Sequence, residues 1–478
     1  MFPWVVVFVT YLATTTDGFS FSPAALNRRR HPSFGPTYNL NEDKNLCILS
    51  ATNTNRNNSL RVTRREIVDA SLYGILANLL FAAPMSASAL SAASSVEDNS
   101  AEPISASQRA SMQKAIAYRT ISLPIPEFDV NVPVSIWYPM DSGASDVPSS
   151  TTLQPAEIKY NYRISLRRIG QLLARWDFIP EFISKSFVLD PSISTMSTVR
   201  VVDGKNIPIS TTSSTGTNVV FLAHGFLGSR SDLAYIAEDL AAQGFVCVAS
   251  EYPESLEASY PRLEGLDRVV INRGLIPYVQ NVVSQPILSY SAIGHSLGCG
   301  TVLQMGDDSW NRILMGSGKA PELPSSRSQE SASSSSAPSS NYKTPIVGGR
   351  LLFISSVNDG PVTSWGGGIK IPQGYTVLQE SQLDAIAASN GSVVAPRGFD
   401  RVALVFDRED APNHISYLSE NVNDAMLSFL SPLLPVTKAL NIPVLDFDKY
   451  ASSRDSVPTG NVLKPLISNF LLAAQPPK

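Results

Sequence analysis

Residues 287–305 read ILSYSAIGHSLGCGTVLQM, and this stretch decides how the remainder of the chain is understood. Ile287–Ile293 is an apolar run of strand length, and Leu297–Met305 is a second apolar stretch with the character of a helix. Gly294-His295-Ser296-Leu297-Gly298 joins them as a G-x-S-x-G turn. That pattern is common by chance, but its position directly between strand and helix gives it meaning. A turn this sharp needs glycines because the chain is strained and closely packed, and the strain lifts Ser296 Oγ clear of the strand end. Ser296 is the candidate nucleophile.

Working outward, Asn218–Ala223 (NVVFLA) is wholly apolar except at its start, as expected of a strand covered on both faces. His224-Gly225-Phe226-Leu227-Gly228-Ser229 follows. Residues 232–243 then set Leu233, Ile236, Ala237 and Leu240 on one helical face, with Gly244 as a stop before the strand Phe245–Ala249. Strand, helix and strand with short joints predict a parallel βαβ unit. Further strands are predicted at Arg312–Met315, Arg350–Ser355 and Arg401–Phe406, and an N-terminal antiparallel hairpin at Tyr118–Ile125 and Val132–Pro139. The expected fold class is α/β, a doubly wound, mostly parallel sheet opened by a hairpin. Residues 162–176 show apolar positions at helical spacing (Ile164, Ile169, Leu172, Leu173, Trp176), predicting a surface helix or a lipid-facing cap. Ser317–Lys343 is rich in Ser and Pro and is expected to be a disordered insert.

A serine hydroxyl attacks only when a base takes its proton, so the histidines matter. There are four. His31 lies in the leader, His295 inside the turn, and His224 in the His-Gly turn after Asn218–Ala223. His414, on the loop after the last predicted strand, is left as the candidate base, at the sheet edge where ligands bind in such architectures. A carboxylate must orient that imidazole and stabilise its cation. Asp359, in Val357-Asn358-Asp359-Gly360 after its own strand, keeps the order Ser–acid–His along the chain. The competing acids are Asp307 and Asp308, beyond the far end of the elbow helix, and Asp407, Glu409 and Asp410, on the His414 loop itself. Charge developing on a substrate oxygen needs fixed donors. The backbone N–H groups of Leu297 and Phe226 are the candidates for the oxyanion hole. Cys247 and Cys299 read as small core residues. Trp365-Gly366-Gly367-Gly368 reads as a flexible loop near the candidate acid, either a lid or a long turn. No metal-ligand spacing is present, no phosphate-binding glycine loop follows a strand, and no cofactor is implied.

These residues resemble the α/β-hydrolase superfamily over roughly Tyr118–Pro435. The resemblance lies in Val134–Pro139 (VSIWYP), in Ala223–Ser255 (AHGFLGSRSDLAYIAEDLAAQGFVCVASEYPES) and in the GHSLG turn. Its flavour is that of the platelet-activating-factor acetylhydrolase and dienelactone-hydrolase-like branch, and chlorophyllases share the HGF turn and the GHS elbow. Acetylhydrolases and chlorophyllases usually carry the acid after the strand that follows the elbow helix. Here that strand ends in Met315-Gly316-Ser317-Gly318, without an acid. Asp359 falls one strand later, as in dienelactone hydrolases, which use a cysteine where this chain has Ser296. The resemblance implies a serine carboxylic-ester hydrolase, and the apolar, low-charge composition together with a plastid address favours a lipid-like ester as its substrate. A chlorophyllase-like activity on the phytyl ester is the alternative, and a non-catalytic binding protein of the same fold is the alternative of another class.

The chain has 478 residues, three cysteines, 16% charged residues and a net charge of −4. Soluble domains carry about 25% charged residues. Low charge and mild acidity argue against nucleic-acid binding, and three cysteines exclude a disulfide scaffold. Met1–Ala13 is almost wholly apolar, a signal-peptide core within residues 1–20. Residues 21–65 hold eight basic groups against two acidic ones and are rich in Ser, Thr and Asn, a transit-peptide composition. Gly18-Phe19-Ser20-Phe21 resembles the junction of a bipartite plastid address. Arg64-Arg65 before Ala70–Ala83 and Ala87-Ser88-Ala89 reads as a twin-arginine thylakoid-transfer segment, or as an ordinary helix flanked by arginines. The expected organisation is address to residue 95, catalytic domain 118–435 and tail 436–478. Residues 1–94 carry a net +3, so the remainder carries −7. The expected location is a plastid, reaching the thylakoid lumen if the third signal acts, or outside the cell if only the signal peptide does. Peripheral contact with a membrane is expected of an enzyme working on lipid or pigment esters.

Overall fold

Alternation of buried and exposed residues starts the fold at β1 (Lys114–Ile125) and β2 (Val130–Pro139). The two pair antiparallel, with Tyr118 opposite Trp137, and a short 3-10 turn at Pro126–Phe128 closes the hairpin. The computed structural model describes residues 114–140, 158–165, 167–168, 171–172, 184–190, 199–205, 207–209, 216–257, 260–322, 349–365, 367–381, 400–430 and 453–473. The expectations for residues 1–95, and for most of the Ser-rich insert, lie outside the described residues.

The other elements, in chain order, are β3 (Tyr160–Ser165), β4 (Ser184–Leu189), β5 (Val199–Asp203), β6 (Thr217–Ala223), α1 (Ala234–Ala242), β7 (Phe245–Ser250) and α2 (Arg268–Val282). Then follow β8 (Ile287–His295), α3 (Leu297–Leu303), β9 (Asn311–Met315), β10 (Leu351–Ser356), β11 (Thr376–Gln379), β12 (Arg401–Phe406), α4 (Glu420–Leu430) and α5 (Ser456–Leu472). Among the described residues one ten-stranded sheet runs β11-β12-β10-β9-β8-β6-β7-β2-β1-β5. Strand β2 is antiparallel to both β1 and β7, and all other pairings in this sheet are parallel.

The strands explain why the sheet is doubly covered. In β6, Val220 and Leu222 enter one apolar cluster, while Val219, Phe221 and Ala223 enter the other. In β10, Leu352 and Ile354 face the first cluster, with Leu351 and Phe353 facing the second. Strand side chains alternate between faces, so a run apolar at every position needs cover on both. The first face is covered by α1 and α5, and the second by α2 and α3. Each fully buried Val, Leu, Ile or Phe is worth about 1.5–3 kcal/mol, so both layers contribute heavily to stability.

Three expectations are corrected. The helix expected over residues 162–176 does not begin at 162: Tyr160–Ser165 is a strand, antiparallel to Ser184–Leu189, and helical residues appear only beyond it, at Arg167, Arg168, Gln171 and Leu172 among the described residues. Buried Tyr160, Tyr162 and Ile164 alternate with more exposed Asn161 and Arg163, a period of two that dominates over the helical spacing further along. The supposed tail contains α5, whose Leu463, Leu466, Ile467 and Phe470 are buried in the core. The first residues of the Ser-rich stretch belong to the domain: Ala320 is buried, and its N–H donates to Lys370 O at 3.0 Å.

Candidate active site

Four loops meet at one edge of the sheet because β6, β8, β10 and β12 all run parallel through it and each delivers its residue just past its C-terminal end. Ser296 follows β8, Asp359 follows β10, His414 follows β12 and Phe226 follows β6. Crevices at this edge are where open α/β sheets bind ligands.

Ser296 has φ 55° and ψ −119°, a backbone state an L-residue adopts only under constraint. Its N–H donates to Met315 O at 2.9 Å, anchoring the elbow to the end of β9. The flanking glycines are required by contact. A Cβ on Gly298 would lie 2.0 Å from Ala223 O, and one on Gly294 would lie 2.4 Å from Gly298 O.

His414 and Asp359 complete the arrangement. His414 Nε2 is 2.9 Å from Ser296 Oγ, and Nδ1 is 2.9 Å from both Asp359 Oδ1 and Oδ2. Asp359 is fully buried and His414 nearly so. With the carboxylate at Nδ1, the imidazole proton sits there, leaving Nε2 to accept from the serine hydroxyl. Asp359 Oδ1 also accepts the Val362 N–H at 3.2 Å, which helps fix the carboxylate's orientation. The competing acids stand elsewhere. Asp307 accepts from Ser309 beyond the end of α3, and Asp410 pairs with Arg454. Asp407 and Glu409 are exposed.

Sequence reasoning overlooked several supports. Asn358 Nδ2 donates to Glu409 O at 2.7 Å and to Ala411 O at 3.0 Å, tying the acid loop to the base loop. Asn413 Oδ1 accepts the N–H groups of Ile415 and Ser416, shaping the turn around His414. His295, inside the elbow, donates from Nε2 to His414 O at 2.9 Å. Burial, and then the neighbouring His414, hold its pKa well below the usual imidazole range, so it stays neutral. Asn-Asp and Asn-His pairs hint at turns, but the partners they reach are tertiary and leave no local pattern.

The candidate oxyanion donors lie on loops packed together. A Cβ on Gly225 would sit 3.1 Å from Ser296 Cβ, so the His-Gly turn lies against Ser296. Leu297 opens α3, where the first N–H groups have no intrahelical acceptor. Leu227, next to Phe226, has φ 60°, a second strained non-glycine residue at this edge. His224 is buried, and burial followed by Arg268 lowers its pKa well below the usual range. Cys247 and Cys299 are buried thiols, each with its pKa raised chiefly by burial, Cys299 to about 12. The segment after Asp359 is a π-helical turn, Pro361–Trp365, followed by Gly367 and Gly368 at positive φ. Among the described residues no cluster of metal-ligating side chains is present.

No family model matches the chain, and no curated protein matches it. Solved structures similar to it include a ferulic acid esterase from Streptomyces cinnamoneus, at 12% identity over 77% of this chain and 94% of that one, with a TM-score of 0.33. A dienelactone hydrolase from Anabaena variabilis matches at 13% identity over 66% of this chain and 95% of that one, with a TM-score of 0.26. A dienelactone hydrolase-like promiscuous phosphotriesterase from metagenomic libraries matches at 12% identity over 73% and 97%, with a TM-score of 0.30. The assignment of the fold rests on the strand order, on the strained serine between β8 and α3, and on the aspartate and histidine that follow β10 and β12 and reach it. By these features the chain has the α/β-hydrolase fold.

Proposed function

We propose that the protein is a serine carboxylic-ester hydrolase. The observation that carries this reading is the continuous chain from Ser296 Oγ through His414 to both oxygens of Asp359, each link 2.9 Å. Ser296 Oγ attacks the ester carbonyl while its proton passes to His414 Nε2. Asp359 stabilises the resulting imidazolium, and the N–H groups of Phe226 and Leu297 hold the oxyanion. The tetrahedral intermediate collapses, the C–O bond to the alcohol breaks, and His414 returns the proton to the leaving oxygen. Water, deprotonated by the same histidine, then releases the acid from Ser296. No cofactor takes part in these steps.

The substrate class we infer is an ester with an apolar acyl or alcohol group. Phe226 and Val357, 46% and 40% exposed, lie on the loops that carry an oxyanion donor and the acid. Apolar side chains left open beside a reactive centre favour ligands that cover them. The basic, hydroxyl-rich leader supports a plastid location. N-terminal sequencing of the mature protein tests that reading: a start just after Ala89 supports the lumen, and a start near Phe21 or within the 40s and 50s excludes it.

A fluorophosphonate probe tests the chemistry. Wild type is expected to be labelled, and Ser296→Ala is expected to lose both labelling and ester hydrolysis. An unlabelled, folded wild type overturns the hydrolase reading. Parallel assays on short-acyl phospholipid, galactolipid and chlorophyll test the substrate, and release of phytol from chlorophyll alone would overturn the lipid reading.

A further inference from the structure

Arg268 opens α2, and its side chain is buried against the His-Gly turn. The guanidinium spends its donors there. Nη1 donates to His224 O at 2.8 Å and to Thr301 Oγ1 on the elbow helix at 3.0 Å, and Nη2 donates to Gly225 O at 3.1 Å. Nε pairs with Glu254 at 3.1 Å, and the guanidinium carbon lies 4.5 Å from the centre of the Tyr252 ring.

The Gly225 carbonyl also accepts from His224 Nδ1 at 2.8 Å and from the Gly228 N–H at 3.4 Å. His224 is fixed for this task, because its Nε2 accepts the Tyr252 N–H at 3.1 Å and so leaves the proton on Nδ1. Three donors therefore converge on one carbonyl. That carbonyl and the Phe226 N–H belong to the same peptide plane, and the peptide is trans. In a trans peptide the C=O and N–H point in opposite directions. Donors gripping the oxygen thus fix the heading of the N–H. They also draw electron density toward the carbonyl, which makes the N–H a stronger donor.

We infer that Arg268, assisted by His224, is a positioning residue that aims and polarises the Gly225–Phe226 peptide for the oxyanion. This rests on the ester-hydrolase reading. The effect belongs to the transition state, since a substrate carbonyl carries little charge and the tetrahedral oxygen carries a full one. A guanidinium holding only the fold would stabilise the loop without favouring that charge.

The experiment compares wild type, Arg268→Met and Arg268→Lys on p-nitrophenyl acetate and measures inhibition by a trifluoromethyl ketone, whose adduct with serine carries the oxyanion. Removing an oxyanion donor outright costs about 100–1,000-fold in kcat, so misaiming and depolarising one is expected to cost about tenfold. In Arg268→Met, kcat is expected to fall by that factor with KM little changed, and affinity for the ketone is expected to fall in the same proportion. Arg268→Lys keeps the charge but reaches fewer acceptors, so the same paired loss is expected at smaller size. Circular dichroism reports folding, and if the Met variant does not fold the Lys variant carries the comparison. Folded variants with wild-type kcat and ketone affinity, or a loss confined to KM, overturn the inference alone. A wild type inert to both the ester and the fluorophosphonate overturns the hydrolase reading and this inference with it.

Discussion

Asp359 meets His414 Nδ1 with both carboxylate oxygens at 2.9 Å from a fully buried position, so the imidazole has little freedom to turn. An Asn in its place would nearly keep the shape while removing the charge that stabilises the imidazolium. Its amide N–H facing Nδ1 would also favour the tautomer with the proton on Nε2, which cannot accept from Ser296. Asp359→Asn is expected to lower kcat by about 1,000- to 10,000-fold with KM little changed, measured by steady-state ester hydrolysis. A loss below tenfold would mean that another acid serves His414.

At the scale of elements, α5 is the least expected part of the fold. Leu466 and Phe470 are fully buried, and Arg350 donates to Phe470 O at 2.7 Å while stacking over the Phe470 ring. Leu466→Ala should therefore cost about 2–5 kcal/mol, read as a shift in the denaturation midpoint, whereas a detached tail would show no change. The elements legible in the sequence were those with one dominant pattern. Apolar runs marked β6, β7, β8, β10 and β12, and glycines at 294 and 298 marked the elbow. Helix α2 was hidden because Pro277 and Gly274 interrupt its interior, though Asp267 caps it by accepting the Val270 N–H at 2.9 Å. Strand β3 was misread because its alternation runs directly into helically spaced apolar residues, with Ile164 common to both patterns. The GHSLG turn, the elimination of the other histidines and the Ser–acid–His order pointed to Ser296, Asp359 and His414, which the fold brings within hydrogen-bond distance. Arg268 and Asn358 were not legible, because the groups they hold lie far from them in sequence and leave no local pattern.

Across the whole molecule, buried titrating groups link stability to pH. Burial raises the pKa of Asp232 to about 7 and that of Glu257 to about 8. Unfolded, both ionise near ~4, so between about 4 and 8 the native state holds more protons. Their contribution is full below that range and is lost as pH rises through it. His224 and His295, depressed by burial, act oppositely: their contribution grows with pH until the unfolded imidazoles lose their protons near ~6.5. Above about 6.5 the raised carboxylates keep lowering stability as pH rises, and toward pH ~8.5 the buried thiols Cys247 and Cys299, whose pKa values burial raises, add to the fall in the same direction. The melting temperature is expected to fall from pH 6.5 to 8.5, and Asp232→Asn is expected to flatten that fall in thermal scans. An identical slope in the variant would remove Asp232 from the account.

His414 stands 118 positions after Ser296 in the chain, and β10 and β12 must both join the sheet before the two can meet. Closing so long a loop is entropically slow, and parallel pairings between distant segments are among the last to be secured in a folding chain. The turn around Ser296, by contrast, is built within a few residues. On the proposed hydrolase mechanism, a newly made chain is therefore expected to form its serine turn before it gains the histidine that would activate it. Reactivity toward esters is expected only once the far side of the sheet has closed, leaving the half-finished protein chemically silent.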